Sequence, residues 1–243
     1  MCQKSVITGV VLMAAMMMCL TFSIAAENNA QKQEGRPASE TIVYQPPQPD
    51  CGKRIGGDVR GLVRGITRGV TRGTEEKLPA LKLLVPDHTG LTTQDQPVLY
   101  WHLSDPTSKR LEFTLNDEKA QKTVFELTLP SDKKGICSLK LADHKVRLSP
   151  DTEYSWFISM IVNPDMPSGD MAAGGYIRHV ASPASLAGQL EKAEKTEIPA
   201  IYAREGMWYD ALATLSQLIE ASPQDEALKA QRQDLLKQVG IDL

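Results

Sequence analysis

The chain has 243 residues, 42% of them hydrophobic and 23% charged, with a formal net charge of -3. That length supports a full core and a small second unit. The slightly acidic balance excludes a dedicated nucleic-acid binder, which would be strongly basic overall, so no nucleic-acid partner is expected.

In chain order, Lys4 precedes Val6–Ala26, an uninterrupted run of apolar and small residues. Ser23-Ile24-Ala25 offers small residues where a signal peptidase reads, so residues 1–26 are expected to be a signal peptide cleaved after Ala25 or Ala26. The alternative is an uncleaved membrane anchor, since the run is nearly long enough to span. A methionine precedes Cys19, which does not suit a lipoprotein site. Cys2 and Cys19 leave with the signal, and Cys51 and Cys137 remain. In an oxidising compartment these two can form one bridge. Cys137 also shares a strand face with Leu139 and Leu141, which suits a buried free thiol equally well.

Residues 27–78 read as a disordered linker, because polar Gln, Asn and Pro dominate and apolar residues are too few to fold alone. Within it, Val59–Thr74 is four tetrapeptides with Arg60, Arg64, Arg68 and Arg72 each followed by glycine. Such a basic repeat can tether an anionic surface such as lipid head groups or envelope glycan. It can equally be a solvated spacer, since glycine at every fourth position weakens helix and strand alike.

From Pro79 the pattern becomes short strands between turns. Ala80–Val85, Pro97–Leu103, Arg110–Leu115, Lys122–Leu129, Gly135–Leu141, Tyr154–Val162 and Tyr176–Val180 are expected strands. Tyr154–Val162 has apolar residues on both faces, with Tyr154, Trp156, Ile158 and Met160 on one and Phe157 and Ile161 on the other. This predicts a strand in the middle of a sheet. The preceding Leu148-Ser-Pro-Asp-Thr-Glu-Tyr154 suits a tyrosine corner, in which the phenol bonds back to the turn. Asn163–Gly175 reads as a loop. The fold class is therefore α+β, with an antiparallel immunoglobulin- or fibronectin-III-like β-sandwich over residues 79–181.

After Ala181 the period changes to 3.6. Ser182 is expected to cap a helix beginning at Pro183, Thr196 to begin a second that Gly206 ends, and Met207–Ala221 and Pro223–Gln238 to form two more. Tyr202, Gly206, Ala211, Leu215 and Pro223 resemble a single tetratricopeptide-type unit within residues 182–243. One such unit cannot bury its own stripe, so it must pack on the sandwich or on a partner.

Several of these stretches together resemble a bacterial family, the domain of unknown function 928. They are Gly90-Leu-Thr-Thr, Trp156-Phe-Ile-Ser, Asn163-Pro164 with Ser168-Gly-Asp170, Tyr176-Ile-Arg178, Tyr202-Ala-Arg-Glu-Gly-Met-Trp-Tyr-Asp-Ala-Leu212 and Leu235-Leu-x-x-Val-Gly240. The resemblance runs from about Leu78 to the C-terminus. It departs at Val162-Asn163, where relatives have Cys-Asp, and at Tyr176, where Trp is common. It implies an exported bacterial protein and supplies no activity.

Motifs for chemistry are sparse. His88, His102, His144 and His179 are scattered without metal-ligand spacing. No nucleophile elbow, phosphate loop or dinucleotide fingerprint occurs, so no cofactor is expected. Asp165 and Asp170 fall short of a calcium site and suit a turn. In the helical tail, Trp208 falls on the apolar stripe, leaving Tyr209 and Asp210 as exposed candidates for partner binding. The expectation is a non-catalytic interaction protein of the periplasm or cell envelope, with a protein partner there. The alternatives are an envelope hydrolase or carbohydrate-active enzyme with an unidentified acidic site, or an anionic-surface binder working through the arginine repeat.

Overall fold

The computed structural model of the chain describes residues 41–47, 78–164 and 170–243. The signal segment, Cys51, the arginine repeat and Asp165 lie outside the described residues. The described residues form eight strands: β1 (Leu81–Leu83), β2 (Gly90–Thr92), β3 (Val98–Leu103), β4 (Arg110–Asp117), β5 (Lys122–Leu129), β6 (Gly135–Lys140), β7 (Glu153–Ile161) and β8 (Met171–His179). They form a three-stranded sheet in the order β1-β3-β6 and a five-stranded sheet in the order β2-β8-β7-β4-β5. Leu111, Phe113 and Leu115 of β4 lie opposite Met160, Ile158 and Trp156 of β7, and all six are fully buried. The apolar faces of the two sheets share one core, as period-two alternation requires. As the pattern in Tyr154–Val162 suggested, β7 lies in the interior of its sheet.

The corner forms as well: the Ser149 amide donates to the Tyr154 hydroxyl at 3.1 Å. It pins the turn before β7 to the strand itself.

Three expectations for the sheets are corrected. The sandwich is not wholly antiparallel, because the unforeseen β2 pairs parallel with β8, Gly90 opposite Ile177. Three residues are too few to show a period. β8 begins at Met171, so Met171–Gly175 is strand instead of loop. Ala172, Ala173, Gly174 and Gly175 have poor strand propensity, yet they pair with Ser159, Ile158, Phe157 and Trp156 of β7, and pairing to a formed neighbour overrides propensity. Finally, β6 stops at Lys140, and Leu141–His144 is a 3-10 turn closed by Lys145 at φ 58°.

Four helices follow: α1 (Ala184–Lys192), α2 (Ile198–Arg204), α3 (Trp208–Ala221) and α4 (Glu226–Lys237). Ser182 does not cap α1, since Pro183 occupies that position and no side chain caps the helix. The fourth helix starts later than expected, because Asp225 takes the cap and accepts from the amides of Ala227 and Leu228. α3 packs against α2, α4, β2 and β3. The tail thus folds back onto the sandwich.

The reading of residues 27–78 as disordered linker fails at Thr41–Pro47. This segment has no regular secondary structure, yet Ile42 and Tyr44 are buried in the common core. The Gln45 amide donates to the Ala203 carbonyl at 3.0 Å, and Gln238 bonds both the Ile42 carbonyl and the Tyr44 amide. Gly206, at φ 76°, leaves the room this segment needs, since a Cβ there would lie 3.0 Å from the Gln45 carbonyl oxygen. Two apolar side chains at alternate positions suffice once a preformed surface receives them, which composition cannot show.

Tyr154→Phe removes the corner hydrogen bond and keeps the ring. It should lower unfolding stability by about 0.5–1.5 kcal/mol in urea titration.

Candidate functional site

The first turn of α3 presents Trp208, Tyr209 and Asp210 in succession. Successive helical residues point about 100° apart, so three in a row fan around most of the axis. Each meets a different part of the sheets. The Trp208 indole N–H donates to the Leu84 carbonyl, just past β1, at 2.9 Å. The Tyr209 hydroxyl accepts from the Trp156 indole N–H of β7 at 2.9 Å and donates to the Tyr176 carbonyl of β8 at 3.0 Å. The Asp210 carboxylate accepts from the Thr93 amide at 2.8 Å and from the Thr92 hydroxyl at 3.3 Å. One helical turn is therefore tied to the end of β1 and to β2, β7 and β8.

Gly90 makes the approach possible. A Cβ at that position would sit 2.6 Å from the Tyr209 ring, a clash. The glycine of Gly90-Leu-Thr-Thr and the tyrosine of the helical box thus form one contact.

Tyr209 and Asp210 are not the exposed pair the stripe implied. Tyr209 is 1% exposed and Asp210 4%. Stripe reading assumes a helix with one packed face, whereas this first turn is surrounded on all sides. Trp208 is buried as expected.

Asp210 also lies at the floor of a cleft of about 300 Å³ between the β2–β3 connection and α2–α3. Thr92, Gln96, Tyr202, Thr214 and Gln217 line it, and Asp210 is the single carboxylate among its lining residues. Burial pushes the Asp210 carboxyl up from 3.8 to about 6, against the opposing pull of the Thr93 amide, the Thr92 and Thr93 hydroxyls and nearby His179. Burial likewise raises the Tyr202 phenol, with the Asp210 charge adding to it and the Thr93 hydroxyl opposing. The cleft can hold a small polar group against hydroxyls, amides and one carboxylate. It does not contain the two flanking carboxylates of a glycosidase.

The remaining candidates are separate from this cleft. Cys137 is a free, half-buried thiol that donates to the Gly135 carbonyl, and burial raises its pKa. The bridge to Cys51 concerns a residue outside the described ones, as do Arg60, Arg64, Arg68 and Arg72. Asp170 accepts from the Val162 amide at 2.9 Å and holds the end of β7, the turn role expected of it. Among the described residues, no group of three or more His, Cys, Asp or Glu side chains could hold a metal ion.

Residues 63–243 match the family described as Domain of Unknown Function (DUF928). The chain belongs to this family. No curated protein matches it. Among solved structures, a DUF3244 family protein with an immunoglobulin-like β-sandwich fold from Bacteroides vulgatus is similar at 21% identity, over 34% of this chain and 74% of that chain, with a TM-score of 0.24. In this DUF928 protein, Gly206-Met-Trp-Tyr-Asp-Ala-Leu212 joins the helical tail to the sandwich. Sequence reasoning placed Trp208 on the packed face of the tail and missed the part that Tyr209 and Asp210 play in the joint.

Tyr209→Phe leaves the Trp156 N–H and the Tyr176 carbonyl without their buried partner. It should cost about 2–4 kcal/mol, read by urea unfolding with tryptophan fluorescence. Asp210 makes a prediction in pH. Its folded pKa lies above the unfolded value, so between about pH 4 and about 6 the folded protein keeps a proton that the unfolded chain has lost. Its contribution is full below that window and is lost as pH rises through it. The stability of wild type relative to Asp210→Asn should fall by on the order of 3 kcal/mol from about pH 4 to about 6 and then level off.

Proposed function

We propose that this DUF928 protein is an exported, non-catalytic interaction module of the periplasm or cell envelope. In this reading an immunoglobulin- or fibronectin-III-like sandwich carries one tetratricopeptide-like helical unit, and the two dock as one body against a protein partner. The strand order β1-β3-β6 against β2-β8-β7-β4-β5 and the Tyr154 corner support the sandwich half. The tail half is supported by α2 packing on α3, joined through Gly206, with Ala203 and Ala211 fully buried. Export is supported by the apolar N-terminal run and its small residues at Ser23 and Ala25.

The observation that carries the non-catalytic reading is the use made of Trp208, Tyr209 and Asp210. These side chains belong to a stretch that carries the family resemblance, and each one is engaged in the joint between strands and helix. A catalytic box would aim a reacting group at substrate. This one aims its groups at backbone, at a second aromatic and at a threonine hydroxyl.

The competing enzyme reading would rest on Asp210 in its cleft, and one comparison separates the two. Tagged mature protein cross-linked in its native envelope should recover the same partner from wild type and from Asp210→Asn. Turnover of envelope glycan by the wild type, lost in Asp210→Asn at unchanged melting temperature, would sink the proposal.

A further inference from the structure

Thr41–Pro47 lies in a groove made by parts distant from it in sequence. The walls are Ala203 of α2, Trp208 of α3, Gln238 just past α4, and Asp87–His88 between β1 and β2. All three main-chain contacts use the segment's own backbone. Gln238 Nε2 donates to the Ile42 carbonyl at 2.8 Å, Gln238 Oε1 accepts from the Tyr44 amide at 2.9 Å, and the Gln45 amide donates to the Ala203 carbonyl at 3.0 Å. A single glutamine amide thus reads a donor and an acceptor two residues apart, as a neighbouring strand would.

Side chains alternate. Ile42 and Tyr44 are buried, while Thr41, Val43 and Gln45 are exposed, Val43 at 50%. The Tyr44 ring stacks on His88 at 5.9 Å between centroids and meets Trp208 edge-on at 5.0 Å. The His88 ring lies within hydrogen-bond distance of the Asp87 carboxylate, at 3.2 Å, and of the Tyr44 hydroxyl, at 2.8 Å. The tyrosine pocket thus offers a polar partner that a phenylalanine there would not use.

Backbone pairing for affinity and alternate pockets for specificity are the two marks of extended-peptide recognition. The groove also exceeds its occupant. An open cleft of about 510 Å³ runs beside the segment, lined by Tyr44, Pro46, Asp87, His88 and Gln238 through Gly240.

We propose that this groove is a peptide-recognition site, filled here by the chain's own Thr41–Pro47 and able to take in trans an extended partner segment with an aliphatic residue two positions before a tyrosine. The proposal rests on the interaction reading and names a surface for it. The occupant's chemistry comes from the groove itself: an aliphatic pocket, a backbone-reading amide, and an aromatic slot ending in an imidazole. The covalently attached segment competes at high effective concentration, so trans binding needs a partner that outmatches it or a weakened segment.

The test uses the full chain and a fluorescein-labelled peptide of residues 41–47, followed by anisotropy. Tyr44→Ala weakens the attached segment without altering the groove, and the variant should bind the peptide about tenfold more tightly than wild type. Adding Gln238→Ala should reverse that gain by about tenfold, the effect of losing a paired donor and acceptor. A peptide with phenylalanine in place of Tyr44 should bind more weakly than the parent. If Tyr44→Ala does not remain folded by circular dichroism, Ile42→Ser carries the same measurement. Absence of binding to a folded variant, or equal binding to wild type and variant, overturns the groove as a recognition site. Either result leaves partner capture from the envelope as an independent readout of the interaction reading.

Discussion

A two-sheet sandwich has open edges, and covering one of them organises this molecule. The Tyr209 hydroxyl sits between the Trp156 indole and the Tyr176 carbonyl, fully enclosed, and satisfies both with a single O–H group. A hydroxyl is the smallest group that can accept and donate at once, which the site requires, since each unmet group in that setting costs about 1–3 kcal/mol. Trp208 and Asp210 complete the arrangement on either side. The surrounding sequence then follows from the need to bring one helical turn this close: glycine at Gly90, an enclosed first turn, and small Ala211 behind it.

Much of the sandwich was legible because its strands are long and half-buried. Period two is clear in Arg110–Asp117 and Glu153–Ile161, and the corner tyrosine announced itself through its turn. β2 was not legible, since three residues carry no period and its partner residues lie 87 positions later. The first half of β8 was hidden by its Ala and Gly residues, which strand formation selects here through their neighbours on β7. The helical stripe identified Trp208 as core and misplaced Tyr209 and Asp210, because it assumes water on one side of the helix. Thr41–Pro47 was hidden for a different reason. Its two buried side chains are ordinary in a polar stretch, and only the groove built by α2, α4 and the β1–β2 connection gives them meaning.

The joint also accounts for the polar groups of Trp208, Tyr209 and Asp210. Indole, phenol and carboxylate are the functional groups of many active sites, yet here each is within hydrogen-bond distance of a group on another element. Asp210 shows the compromise most clearly. Its carboxylate is buried enough to be raised to about 6, and the Thr93 amide with two threonine hydroxyls keeps it from rising further. The group serves as an acceptor in either protonation state, because one oxygen remains available to the Thr93 amide when the other carries a proton.

The tie between Gln238 and the Ile42–Tyr44 backbone spans 194 to 196 positions. Synthesis delivers a chain from its N-terminus, so the segment that needs the groove emerges before the helix that completes it. The sandwich strands can pair while the tail is still arriving, but its edge stays uncovered until Trp208 and Tyr209 appear. Such long-range closure makes assembly slow relative to its local strands. During that interval the exposed edge is a place where another chain can pair, which makes the timing of the tail a determinant of yield.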